Sequence, residues 1–341
     1  MRIRKKALPI RMIILAAALS LVLTGCYSVP FSQNAAMEAL ESFIREYSVN
    51  AEGRQIVSPQ AAESPEEDVE EPSGAETVSY LGPEGTYTQE ACGVFFDKKG
   101  VFVPCASVQE AVDTLMEGES DYAVIPQENT IGGAVIDYVD VLIGQSGVSV
   151  AGEVELPISQ NLLGLPGTPI GEIKKVYSHK QGIAQGKEWL KQNLPGAGVI
   201  EVSSTAEGAR MVSEENDRSC AAIASAACAD VYGLEILAAG IQNNDSNKTR
   251  FYVLSKEEPD VSSAQRLAFI ASGSAKDLPA LLSEMEKQNM TLIALHDRPR
   301  KTELGEYNYL IECSQCGYKE YKALEESGLF SFRFLGCFDV R

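Results

Sequence analysis

The 341-residue chain is predicted to be an α/β protein with a smaller βαββαβ unit at its C-terminal end. Short apolar runs alternate with amphipathic stretches from Thr77 onward, and glycine-bearing turns separate them. Polar clusters fall where the apolar runs end, which is where open α/β sheets place their ligands. A chain of this length, 45% hydrophobic, supports roughly two or three domains of about 100 to 150 residues.

The amino terminus is read first because it does not belong to the fold. Arg2, Arg4, Lys5, Lys6 and Arg11 precede the apolar run Met12 to Leu23, which is shorter than the ~20 residues a membrane-spanning helix needs. The segment is predicted to be an export signal. Its end, "VLTGC", resembles the lipobox of bacterial lipoproteins, which implies cleavage before Cys26 and a lipid on its thiol; a plain cleaved signal peptide is the alternative. The expected location is therefore the cell membrane, lipid-anchored and extracytoplasmic, with residues 1–25 as the signal. Residues 26–76 carry one helix-like piece, "MEALESFIREY", and then an acidic, proline-bearing run with too few apolar groups to offset chain entropy. They are predicted to form a disordered acidic linker.

The first domain is expected over residues 77–256. "TVSYLGPEGTYTQEACGVFF" reads as strand, Gly-Pro-x-Gly turn and a helix starting at Thr86 or Thr88, whose free N–H groups suit a carboxylate. "DYAVIPQENTIGGAVIDYVDVLI" reads as a strand running into Pro126, then a polar turn with Glu128, Asn129 and Thr130, then a helix. In "KKVYSHKQGIAQGKEWLKQNL", Ser178 and His179 end a strand before a helix carrying Trp189. A strand "AAI", an alanine-rich helix and a strand "LEILAAGI" follow, then the polar loop and strand of "NNDSNKTRFYVL". The second domain, 264–341, reads as strand, helix, strand, strand, helix, strand.

Charge and cysteines exclude other classes. A net charge of −19, about −24 without the signal, and a pI near 4.6 argue against nucleic acid as partner. Of eight cysteines, those other than Cys26 are irregularly spaced and read as small core residues. Cys313 and Cys316 form a CxxC with no further ligand nearby, so no metal is expected.

"GPEGTYTQEA" (82–91), "PQENTIGGAV" (126–135), "SHKQGIAQGKEWL" (178–190), "STAEGA" (204–209) and "NKTRFYVL" (247–254), in that order, resemble prephenate dehydratase, and the C-terminal unit looks like the ACT regulatory domain of that family. The resemblance implies a two-lobed, periplasmic-binding-protein-like catalytic domain followed by a ferredoxin-like βαββαβ ACT domain. It also implies a homodimer or higher oligomer, and conversion of prephenate to phenylpyruvate without a cofactor. The family's catalytic threonine falls on Thr249. A threonine hydroxyl is a very weak acid, so its role is a positioned hydrogen bond to the departing hydroxyl oxygen. Thr86, Thr88, Asn129, Thr130, Ser178 and Gln181 are expected to contact substrate. Arg250 is either a carboxylate partner or a structural ion pair. Glu128 is an orienting group rather than a base, because a bare carboxylate facing a dianion is unfavourable; His179 either donates to substrate or caps a helix.

The chain departs from the family at several points. Thr130 stands where serine is common, and Gln160 where histidine is. In "LHDRP" only the Arg-Pro of the family's effector motif survives, leaving Asp297, Arg298 and Pro299 as candidates for binding L-phenylalanine. Residues 27 to 76 lack the long charged helices of a chorismate mutase. Prephenate arises in the cytoplasm, so an exported chain also admits a second reading, a non-catalytic lipoprotein that binds or senses aromatic acids or amino acids.

Overall fold

The computed structural model describes residues 75–262 and 265–341. The export signal, Cys26 and residues 26–74 of the linker lie outside the described residues.

The first lobe is built on β1 (Thr77–Leu81), β2 (Val101–Cys105), β3 (Tyr122–Asn129), β4 (Gly133–Ala134) and β5 (Ser149–Pro157), with helices α1 (Tyr87–Phe95), α2 (Val108–Glu117) and α3 (Ile136–Gly144). Local chemistry sets the helix ends. Ser107 accepts from the Glu110 N–H at 3.1 Å to start α2, and Gly118, at φ +80°, ends it in the left-handed conformation. The second lobe holds β6 (Asn161–Gly164), β7 (Lys175–Ser178), α4 (Lys180–Asn193), β8 (Gly198–Glu201), α5 (Thr205–Glu215), β9 (Cys220–Ala224), α6 (Ala227–Tyr232) and β10 (Glu235–Ala238). The chain then returns through β11 (Lys248–Ser255) to the first sheet, ordered β2-β1-β3-β11-β5 with β4 on β3; the second sheet runs β10-β6-β9-β7-β8. Two crossings thus join two lobes, each with its own sheet. Burying a Leu, Ile or Phe in either core contributes roughly 1.5–3 kcal/mol.

β3 continues beyond the Pro126 at which the sequence suggested it would stop. Proline is tolerated because β1 pairs β3 only as far as Val124, so the missing N–H faces no partner on that side. On the other side β11 pairs antiparallel through Asn129 opposite Thr249, with an irregularity: Glu128 lies opposite Arg250 and Pro126 opposite Phe251. Gln127 is the extra residue of a bulge, and it reverses the alternation of side chains along β3.

The C-terminal unit runs β12 (Arg266–Ser274), α7 (Leu278–Lys287), β13 (Thr291–Pro299), β14 (Glu306–Ser314), α8 (Tyr318–Glu326) and β15 (Ser331–Phe338), in the predicted βαββαβ order. Its antiparallel sheet is ordered β13-β14-β12-β15. One face, with Leu267, Phe269 and Ile311, packs on residues of both helices, including Leu281 and Leu324; Cys313, Cys316 and Cys337 are buried free thiols in this core. The other face contributes Ala268, Ile270, Leu310 and Leu335 to the core of the first lobe beside Tyr138, Tyr252 and Leu254. Beyond β15, the Glu153 N–H donates to the Asp339 carbonyl at 3.1 Å and the Glu155 N–H to that of Arg341 at 3.0 Å, so the chain end covers the β5 edge.

His296 on β13 sits at this junction, its ring edge-on to Tyr138 at 5.8 Å. Burial, helped by Arg298 and Arg250 and opposed by Glu128 and Glu312, holds its pKa below the ordinary 6.5. The unfolded chain therefore takes up a proton first as pH falls below 6.5, and stability drops until the folded imidazole also protonates. Melting temperatures measured between about pH 7.5 and about pH 5.5 should fall more steeply for the wild type than for His296→Gln; equal slopes would assign the loss to other groups.

Candidate active site

A cleft of about 230 Å3 lies between the lobes. The first lobe contributes Thr86, Thr88, Pro126, Asn129, Thr249 and Phe251, and the second His179, Gln181, Gln185 and Ser203 to Thr205; Ile158 and Gln160, on the crossing segment, complete the wall. Among the described residues no lysine or arginine lines it.

Thr249 is held by Asn129. The Asn129 Oδ1 accepts from the backbone N–H groups of Ile131, at 3.0 Å, and Gly132, at 2.8 Å. Because those partners can only donate, Nδ2 is the atom that faces Thr249, and it donates to Thr249 Oγ1 at 2.9 Å and to Asn247 Oδ1 at 2.9 Å. With a lone pair occupied by Asn129, the Thr249 hydroxyl has its own proton free to donate into the cleft. Gln181 reaches across from the second lobe to Gly132, where an added Cβ would stand 2.1 Å from its Nε2 and displace that amide.

Helix ends supply the positive field that side chains do not. The N-caps Thr86 of α1, His179 of α4 and Ser204 of α5 all line the cleft. The α1 end has no side-chain cap, since Thr86 Oγ1 donates instead to the Leu81 carbonyl at 3.3 Å, and its first N–H groups are left for a ligand. Converging helix N-termini attract anions without introducing a mobile cation. The Gly-rich turn before α1 is held from the second lobe: Ser225 Oγ donates to the Gly85 carbonyl at 2.8 Å and Tyr232 Oη to that of Glu84 at 2.8 Å. Gly85 has φ +81° and a Cβ there would meet Cys228 Sγ at 2.9 Å, so the turn requires glycine twice over.

Residues 78–259 match the family model described as prephenate dehydratase. A bifunctional chorismate mutase/prephenate dehydratase from Aquifex aeolicus is 35% identical over 254 residues, 73% of this chain and 68% of that relative. A prephenate dehydratase from Lactococcus lactis subsp. lactis is 33% identical over 274 residues, 77% of this chain and 97% of the relative. The chain belongs to the prephenate dehydratase family. Among solved structures, the prephenate dehydratase of Arthrobacter aurescens in complex with L-Phe matches with a TM-score of 0.70 at 27% identity, covering 77% of this chain and 90% of that one.

Set on this prephenate dehydratase fold, Thr86, Thr88, Asn129, His179, Gln181 and Thr249 meet in one cleft, while other residues predicted from the sequence stand elsewhere. Ser178, fully buried, donates through Oγ to the Ile223 carbonyl at 2.7 Å beneath α4. Thr130 is an exposed brace for the loop before β11, accepting from the Lys248 N–H at 3.0 Å and donating to Asn247 Oδ1 at 3.2 Å. Arg250 and Glu128 lie on the opposite face of the sheet. There Arg250 donates from Nε and Nη2 to the Glu153 carboxylate at 2.6 and 2.8 Å, pairs with Glu312 of β14, and reaches Glu128 at 3.3 Å. Of the two roles open for Arg250, the ion pair is what its geometry provides. Of the two roles open for His179, the helix cap is what its geometry provides, Nδ1 accepting from the Gln181 N–H at 3.4 Å, and the ring borders the cleft. Arg298 joins β13 to α3 through Asp140 at 2.6 Å and donates to the neighbouring Asp297 carbonyl. Pro299 ends β13.

Some lining residues were missed. Ser204 with Glu207 is a readable capping signature, and the Glu207 N–H does donate to Ser204 Oγ at 2.9 Å. Gln185 falls one helical turn after Gln181 and shares its face. Gln160 offered no periodic signal beyond standing where histidine is common, and Phe251 is both core and cleft wall.

The ion cluster behind Thr249 sets a measurable dependence on the C-terminal unit. Besides Arg250, Glu312 accepts from Tyr252 Oη at 2.6 Å and Gln127 Nε2 at 2.7 Å, and it is 1% exposed. Burial raises the Glu153 pKa, with Glu312 adding to the effect and Arg250 opposing it. Glu312→Ala should cost about 3–5 kcal/mol in urea unfolding, because Arg250 and the Tyr252 hydroxyl lose their buried acceptor; a loss below about 1 kcal/mol would mean that the cluster reorganises around water.

Proposed function

We propose that this chain catalyses the decarboxylative dehydration of prephenate to phenylpyruvate, a carbon–oxygen lyase step of phenylalanine formation. The observation that carries the reading is the Thr249 hydroxyl, an acceptor towards Asn129 at 2.9 Å and thereby left to donate into the cleft. Prephenate has two carboxylates, a keto group and a ring hydroxyl. The helix N-termini at Thr86, His179 and Ser204 suit its carboxylates, and Phe251, Pro126 and Ile158 form an apolar wall for its ring. Thr249 then meets the ring hydroxyl as the carbon–oxygen bond breaks, a hydrogen bond that strengthens as charge develops on the departing oxygen. The carboxylate leaves as carbon dioxide, its bonding pair enters the ring, and one proton from solvent completes the released water. Exclusion of water from the leaving carboxylate assists that step.

The C-terminal unit supports the reading of an ACT-like regulatory domain that takes L-phenylalanine near Asp297, Arg298 and Pro299 and pairs two or more copies of the chain. The support is its βαββαβ order and the similar prephenate dehydratase of Arthrobacter aurescens, which was solved with L-Phe. Arg298 is engaged by Asp140 of α3, so an effector at this strand would act on the helix that follows the Asn129 loop. The lipobox-like "VLTGC" supports anchoring at Cys26 outside the membrane. It also sustains the second reading, a binding or sensing lipoprotein for aromatic acids or amino acids, which calorimetry would favour if such ligands bound without turnover.

The purified chain lacking residues 1–25 should release phenylpyruvate from prephenate. Thr249→Ala should lower kcat by about 100-fold or more and Thr249→Ser by less, as expected when a single transition-state donor is removed or kept. A wild-type protein that binds prephenate without converting it would overturn the catalytic reading. Incorporation of labelled fatty acid by the full chain should vanish in Cys26→Ala; undiminished label would refute the anchor.

A further inference from the structure

Cys313 and Cys316 form a pair that the dehydratase chemistry leaves unused. β14 ends at Ser314, Gln315 takes the left-handed conformation at φ +60°, and Gly317 caps α8, its N–H donating to Glu320 Oε2 at 2.9 Å. This tight strand-to-helix turn folds Cys316 back into the core between sheet and helices, where Cys313 already lies. The two thiols are hydrogen-bonded to each other, Cys313 donating. That bond holds the Cys316 thiol below the ordinary range, against burial and the Glu320 carboxylate, while the same bond and burial push Cys313 up. Cys316 is also the more accessible, 5% exposed where Cys313 and Cys337 are fully enclosed. The pair thus has one sulfur disposed to attack and a second held behind it.

Strand register sets Cys337 apart. Cys313 and Cys337 stand opposite the same residue, Leu267, on the two strands flanking β12, which puts their Cα atoms about 10 Å apart, beyond the ~7 Å that a disulfide spans. Cys92, Cys105, Cys220 and Cys228 pack in the cores of the two lobes.

We propose that Cys313 and Cys316 are a dithiol–disulfide couple, closed by exchange with a low-molecular-weight disulfide. With glutathione disulfide, the Cys316 thiolate attacks one sulfur, forms a mixed disulfide and releases one glutathione. Cys313 then attacks Cys316 Sγ and releases the second. One protein S–S bond forms as that of the small molecule breaks; two protein thiols are oxidised, and their protons leave on the two glutathiones. The cross-link ties the end of β14 to the start of α8 beside Glu312, the residue through which the C-terminal sheet pairs with Arg250. The inference goes beyond the dehydratase reading and does not rest on it. Export across the membrane would place the pair where disulfides persist.

The chain lacking residues 1–25 is equilibrated with glutathione and glutathione disulfide, folded or in urea, then alkylated and digested with trypsin. Cleavage after Lys301 and Lys319 leaves both cysteines in the peptide 302–319, and Cys337 in the peptide 334–341. From the folded chain, peptide 302–319 should be lighter by two hydrogens and carry no alkyl group. The equilibrium constant for closure should be about tenfold or more above that in urea, because the fold already holds the two thiols together. Equal constants, two alkyl groups on the peptide in excess glutathione disulfide, or a bond to the Cys337 peptide would each overturn the proposal. Cys313→Ala should accumulate glutathione on Cys316, whereas Cys316→Ala should leave Cys313 free; glutathione on Cys313 in the second variant would overturn the order of attack. The wild-type peptide decides the pairing by itself if either variant fails to fold.

Discussion

The arrangement of this molecule depends on one largely enclosed cation. Arg250 lies between Glu153 of β5, Glu128 of β3 and Glu312 of β14, so a single guanidinium ties together the two strands flanking β11 and the C-terminal sheet. A guanidinium out of water is tolerable only when its forked donors are matched by carboxylates in fixed geometry, which makes the cluster strict about strand register. Thr249 is the preceding residue, on the other face of the same strand. What holds Arg250 in place therefore also sets where the Thr249 hydroxyl points.

The bulge at Gln127 is the second half of that arrangement. Strict alternation along β3 would place Pro126 and Glu128 on one face and Gln127 and Asn129 on the other. With Gln127 inserted, Pro126 and Asn129 both face the cleft while Gln127 and Glu128 both face the ion cluster, where Gln127 Nε2 donates to Glu312. One extra residue thus aims a catalytic-face amide and a buried polar brace in opposite directions. The C-terminal unit is part of the same device, because Glu312 contacts Arg250, Gln127 and Tyr252 at once, and Arg333 donates to carbonyls at the end of α3. Any movement of the C-terminal sheet relative to the first lobe is felt on β3 and β11.

Electrostatics at the cleft runs against the composition. The chain carries a net charge of −19, yet the site reads as a receptor for a dianion. Cationic side chains are spent elsewhere: Arg250 on its carboxylates, Lys248 on Glu155 at 3.5 Å. The field at the cleft comes from main-chain N–H groups at helix starts, which keep their positions regardless of the protein's overall charge and bring no flexible side chain to be ordered on binding.

Sequence alone determined the βαββαβ order of the C-terminal unit, a helix start at Thr86 or Thr88, of which the structure selects Thr86, and the polar clusters at strand ends, because each is encoded by local periodicity, turn glycines and capping residues. It also singled out Thr249 and Asn129 through motifs that survive side by side. Only the tertiary structure decided on which face of a strand a polar residue works. Arg250, Ser178 and Thr130 belong to the same polar clusters as the cleft residues, yet each turns to a partner distant in sequence: Glu312, Ile223 and Asn247. Gln160 was marked in the sequence only as standing where histidine is common; its place in the cleft wall follows from how the two lobes close at the crossing segment rather than from any neighbouring residue.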